Sequence, residues 1–180
     1  MNTLDILFLS ETHCNVDVLD VISGFTKFGD KNFPLIQKHA GLAVYVRGNY
    51  AQYVKEIRYG RSSISLSINT IPNFFFMGVY IYPTDSFNYN DTDFGGLISD
   101  MNYWLMKGYH PIVGGDFNSR VGNINEISKT SLDWKYQMNV DSVINENGKR
   151  FATMCEFLKI QPINHCNYRT NLFRGGFTYF

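Results

Sequence analysis

Pro111-Ile-Val-Gly-Gly-Asp116-Phe-Asn118-Ser-Arg120 is the stretch that decides the reading of this chain. A short apolar run, the pattern of a buried strand, ends here in a carboxylate, so Asp116 is delivered to the rim of a sheet. If the extended geometry continues, side-chain alternation sets Asp116 and Asn118 on one face and turns Phe117 toward the core. Gly114 and Gly115 let backbone or ligand approach closely. An acid able to orient or deprotonate water, beside a neutral amide able to hold a phosphate oxygen, suits phosphoryl transfer. The plain alternative is a tight turn with no chemistry.

Upstream the same device recurs. Asp5-Ile-Leu-Phe-Leu-Ser10 reads as a buried strand and places Glu11 at its end, within Leu9-Ser10-Glu11-Thr12-His13. Mg²⁺ takes one or two such hard oxygen ligands and completes its shell with water and phosphate oxygens. Taken alone, a glutamate after a strand is more often a solvated loop residue. Gly41–Arg47 and Phe74–Tyr82, the latter closed by Pro83, are further strands, and Ser63–Ile68 alternates so that Ile64, Leu66 and Ile68 share one side. Helical spacing joins Phe94, Leu97, Ile98, Met101 and Leu105, and again Phe151, Met154, Cys155 and Leu158 after the turn signal Glu146-Asn147-Gly148. Residues 119 to 147 form a long polar stretch without clear periodicity. Strands come first and then alternate with helices, which predicts an α+β or layered α/β fold.

Composition bounds the answer. The 180 residues suffice for one domain, 1–180, with a real core. Apolar residues make up 44%, which argues against wholesale disorder. Aromatics make up 16%, and sheet core and surface account for them, with stacking on nucleic-acid bases as the alternative. Net charge is zero, so composition leaves a nucleic-acid partner undecided, although a local basic groove is compatible with it. Cys14, Cys155 and Cys166 are an odd set without C-x-x-C spacing, which argues against a disulfide framework and a structural zinc site. The expectation is a soluble, intracellular protein, not secreted, because no long apolar span or signal-peptide pattern is found.

Several of these segments resemble the motifs of endonuclease/exonuclease/phosphatase (DNase I-like) enzymes. Leu9-Ser-Glu11-Thr-His resembles their L-x-E-T motif, Gly115-Asp116-Phe117-Asn118 their G-D-F-N motif, and Gly78-Val-Tyr80-Ile-Tyr-Pro83 their tyrosine-bearing strand. Gly41-Leu-Ala-Val-Tyr, Asn147-Gly148 before a helix, and Phe177-Thr178-Tyr179 are similar to family segments in order and spacing. The nearest flavour is the endonuclease domain of non-LTR (LINE-type) retrotransposons, where E-T-H and G-D-F-N-S-R wording recurs. What the resemblance implies is a four-layer α/β-sandwich and a Mg²⁺-dependent (alternatively Mn²⁺-dependent) phosphodiesterase that nicks duplex DNA. Glu11 would be the metal ligand, and Asp116 would orient or activate the attacking water. Asn118 would hold that water and the scissile phosphate, Tyr80 would donate to the phosphate, and Thr178 would contribute from the phosphate side. Read by itself, Tyr80 is also a reasonable core residue.

Departures accompany the likeness. Tyr82-Pro83-Thr84 stands where many relatives have a Pro-Asn pair. Relatives begin with an Asn-bearing strand and finish with S-x-I-D and S-D-H motifs, so the resemblance implies a domain incomplete at both ends, poorly stable and nearly inactive. It also implies a longer parent carrying a reverse-transcriptase domain. His13, His39, His110 and His165 match no catalytic histidine and read as surface or loop residues. The competing readings are the phosphatase branch, acting on phosphoinositides or sphingomyelin, and a non-catalytic remnant.

Overall fold

The computed structural model of the chain describes residues 5–12, 22–29, 41–71, 73–122 and 143–160. These fall into two compact units, Met1–Phe117 and Asn118–Phe180. The first carries strands β1 (Ile6–Ser10), β2 (Phe25–Gly29) and β3 (Leu42–Arg47), a single helical turn α1 (Gly48–Ala51), strands β4 (Val54–Tyr59), β5 (Ser63–Ile68) and β6 (Phe74–Tyr80), helix α2 (Asp93–Met106) and strand β7 (His110–Asp116). The second carries α3 (Glu146–Leu158).

The strands of the first unit form two sheets, ordered β1-β3-β2 and β4-β5-β6-β7. All pairings are antiparallel except β6 with β7, which is parallel and bridged by α2, as a parallel pair requires a crossover. The sheets face each other over a core in which Leu42, Val44 and Val46 of β3 meet Ile64, Leu66 and Ile68 of β5. Alternation explains both sets, since every second residue of each strand points the same way. Central β3 and β5 are buried along nearly their whole length. β1 is only half-buried rather than fully buried, because it lies at the margin of its sheet and pairs with β3 alone among the described strands.

The opposite face of β5 carries Ser63, Ser65 and Ser67, and these are buried as well. Helix α2 covers them. The Trp104 indole N–H donates to Ser65 Oγ at 2.9 Å, and Ser63 Oγ donates to Asp100 at 3.0 Å. Trp104 also stacks on Phe75 of β6, ring centres 5.5 Å apart. Ser63 and Ser65 are therefore polar contacts of a buried interface, each hydroxyl small enough to let a helix sit close. Phe94, Leu97 and Met101 are buried as their spacing predicts, whereas Trp104 takes the inward position and Leu105 is only half-buried.

In the second unit, Val121 and Ile144 form an antiparallel bridge, and Ala152 and Phe151 of α3 pack with Val121. α3 begins earlier than its apolar spacing predicts, so Glu146-Asn147-Gly148 is its first turn rather than a preceding one.

Candidate active site

Tyr80 ends β6 on the face that looks into the core between the sheets, the face shared with Phe76 and Gly78. Gly78 has a steric purpose. A Cβ there would lie 2.8 Å from Phe8 Cγ, so only glycine lets the β1 ring rest directly on β6. That close approach brings the end of β1 to the end of β6. Glu11, one residue beyond β1, accepts a hydrogen bond from the Tyr80 hydroxyl across 69 positions of sequence.

Asp116 arrives from the other side. In the parallel β6–β7 register Tyr80 stands opposite Asp116, so their side chains leave the sheet on the same face. The Ile81 N–H donates to the Asp116 carbonyl at 2.9 Å and continues the pairing one step past β6. Gly115 makes the register possible: its φ is +144°, and a Cβ there would stand 2.7 Å from the Val79 nitrogen. Three strands thus deliver Glu11, Tyr80 and Asp116 to one place.

The electrostatics follow. Tyr80 is 5% exposed, and its phenol is pushed well above the ordinary tyrosine range. Burial is the main cause, followed by the hydrogen bond to Glu11 and the negative charges of Glu11 and Asp116. The phenol therefore stays protonated at any physiological pH and can act as a donor, never as a base. Glu11 and Asp116, by contrast, are exposed. Glu11 adopts φ +52°, a left-handed conformation that costs a non-glycine residue about 1–3 kcal/mol and concentrates at functional sites.

Asn118 opens the second unit, half-buried, with φ +45°. The strand stops at Asp116, so alternation does not carry through to Asn118 as the sequence predicts; the left-handed turn interrupts it. What fixes this segment is Asn145, a residue the sequence reading passed over. Its amide accepts from the Gly148 N–H at 2.7 Å and the Arg120 N–H at 3.0 Å, and donates to the Asn118 carbonyl at 2.9 Å. One side chain caps α3 and holds the backbone at Asn118 and Arg120. The signal was present, as an Asn directly before Glu146 is an N-cap pattern. Thr178 lies outside the described residues, as do His13, His39 and His165; His110 is exposed at the start of β7.

Among the described residues no group of three or more His, Cys, Asp or Glu side chains gathers to hold a metal ion. A hard cation such as Mg²⁺ needs less than that, one or two carboxylates with water and phosphate oxygens beyond. Glu11 and Asp116 are a donor set of this chemistry.

The paired sheets with their helix-bridged parallel strand are an α+β fold, and its structural likeness is of the DNase I-like type. One solved structure of similar fold is a 3′ phosphatase, NExo, from Neisseria, bound to a product DNA hairpin. The superposition has a TM-score of 0.60 at 16% sequence identity and covers 86% of this chain. The chain spans 61% of the length of that structure. No protein-family model matches the sequence, and no curated protein does.

Proposed function

We propose that this chain is a divalent-metal-dependent phosphodiesterase of the endonuclease/exonuclease/phosphatase superfamily, acting on DNA. In the finer reading it is an endonuclease of the LINE-type retrotransposon kind, intracellular, with residues 1–180 forming a single partial domain of a longer parent that also carries a reverse transcriptase. The observation that supports it is the convergence of Glu11, Tyr80 and Asp116 through one hydrogen bond and one strand register.

The roles follow from chemistry. Glu11 and Asp116 are exposed carboxylates that would hold Mg²⁺ or Mn²⁺, which when bound supplies charge neutralisation at a phosphate. Asp116 orients and deprotonates the attacking water. Asn118 holds that water and the scissile phosphate, and Thr178 assists from the phosphate side. Tyr80, locked in its protonated form, donates to a phosphate oxygen, exchanging its Glu11 acceptor for the substrate.

A second reading is favoured by the likeness to a 3′ phosphatase solved with a product DNA hairpin. The same donor set would then face a terminal phosphate monoester.

Calorimetric titration with Mn²⁺ or Mg²⁺ tests the shared core of both readings. One site is expected, lost in Glu11→Ala and weakened about 10-fold or more in Asp116→Ala, as removal of a charged ligand implies. Titrations identical in wild type and Glu11→Ala would end the proposal. Nicking of supercoiled plasmid against release of phosphate from a 3′-phosphorylated oligonucleotide separates the two readings.

A further inference from the structure

Phe87 is fully exposed, at 102% of its reference area. A lone apolar residue on a surface needs no explanation, but this one sits on a built turn beside a cation and a few residues from the candidate site. Ser86 N–H donates to the Pro83 carbonyl at 2.9 Å and Tyr89 N–H to the Ser86 carbonyl at 3.0 Å, so backbone bonds hold the loop that carries the ring. Arg61 ties this loop down through Nη2, which donates to the Asn88 carbonyl at 3.3 Å. Its Nε pairs with the fully buried Asp93 carboxylate at 3.0 Å, which orients the guanidinium while 51% of the Arg61 side chain remains in solvent.

This assembly is continuous with the site. Tyr82 packs edge-on against Tyr80, ring centres 5.1 Å apart. Its phenol is buried and lies in the fields of Arg61, Asp93 and Glu11. Direct contacts therefore link Glu11, Tyr80 and Tyr82, the charge of Arg61 acts on Tyr82, and Arg61 in turn holds the Asn88 carbonyl next to Phe87.

We infer that Phe87 and Arg61 form a strand-contact element for DNA: Phe87 stacks on a base flanking the phosphate held at Glu11 and Asp116, and Arg61 neutralises the adjoining phosphate. The inference rests on the phosphodiesterase reading and deepens it. An aromatic ring provides sequence-tolerant stacking, and a guanidinium with donors still facing solvent provides a forked phosphate contact. The pairing also suits a chain of zero net charge, in which attraction to nucleic acid must come from local groups.

The test uses the full chain and a duplex oligonucleotide, fluorescein-labelled for anisotropy and carrying 2-aminopurine at successive positions, in Ca²⁺ to suppress cleavage. Phe87→Ala removes a side chain that touches no core, so its fold is unaffected. It is expected to weaken binding roughly 5- to 150-fold and to abolish quenching at one or two adjacent 2-aminopurines, with Phe87→Trp restoring both. Arg61→Gln is expected to reduce the slope of log affinity against log salt by about 1. Wild-type affinity and wild-type quenching in Phe87→Ala would overturn the inference while leaving the phosphodiesterase reading intact. Wild-type protein that binds no DNA would overturn both.

Discussion

Asp93 is a carboxylate with a fully buried side chain at the first turn of α2. Burial pushes its pKa above the ordinary aspartate value, and the positive charge of Arg61 offsets only part of that. A raised carboxylate pKa means the folded state favours the protonated form. Its stability contribution is complete below the unfolded value, about 3.9, and is lost as pH rises through the folded pKa. Asp93→Asn, which has no charge to desolvate, is therefore expected to match wild type in melting temperature near pH 3 and exceed it at pH 7. Equal melting temperatures at pH 7 would show that Arg61 compensates the burial completely. Residues of this kind were not legible in the sequence: nothing in the spacing of Arg61 and Asp93 announces that a loop brings them together. Glu11, Tyr80 and Asp116 were legible because each follows or ends an apolar run, and a run that must be buried has a rim where polar groups collect.

Among the elements, α3 is capped by one side chain, which also holds the backbone at Asn118 and Arg120. Asn145→Ala removes the helix cap and two further hydrogen bonds, to Arg120 and Asn118, for an expected loss of roughly 2–4 kcal/mol. Asn145→Asp keeps both acceptor contacts and places negative charge at the helix N-terminus, so it should recover most of the loss. Urea midpoints by circular dichroism measure both; a deficit under about 0.5 kcal/mol in the alanine variant would contradict this account. Strands β1, β3, β6 and β7 were readable as apolar runs, β5 by its alternation and both long helices by their spacing. β4 was not, because Lys55, Glu56 and Arg58 dominate it and a register shift between Val54 and Glu56 breaks its alternation. Its charges suit its place at the margin of the sheet, where Glu56 pairs with Lys107 at 2.8 Å and Arg58 lies over the Tyr103 ring. β2, with Thr26 and Lys27 between its phenylalanines, was passed over for want of an apolar run.

At the scale of the whole molecule, the second unit's described part offers one long helix and one bridge around Val121, Ala152 and Phe151. Under the proposed single domain, 1–180, the two units are expected to unfold together. Each has its own reporter. Trp104 is buried in the first, and Cys155 in the second has its thiol pushed up to about 12 by burial, which keeps it unreactive while folded. In a Trp134→Phe chain with Cys14 and Cys166 changed to serine, Trp104 emission and Cys155 labelling should show one urea midpoint. Separate midpoints would argue for two domains. The layered architecture was only partly legible: alternation in Ser63–Ile68 marked one buried face, but the burial of the serine face under α2 depends on a tertiary contact no local pattern encodes.

The hydrogen bond between Tyr80 and Glu11 spans 69 residues, and that span has a consequence during synthesis. At about 5–20 residues per second, a ribosome emits Glu11 several seconds before its tyrosine partner. β1 meanwhile waits, unpaired, for β3 to emerge. The nascent chain thus exposes an apolar ribbon ending in a lone carboxylate, and cannot engage a phosphate through this constellation until translation has passed Asp116.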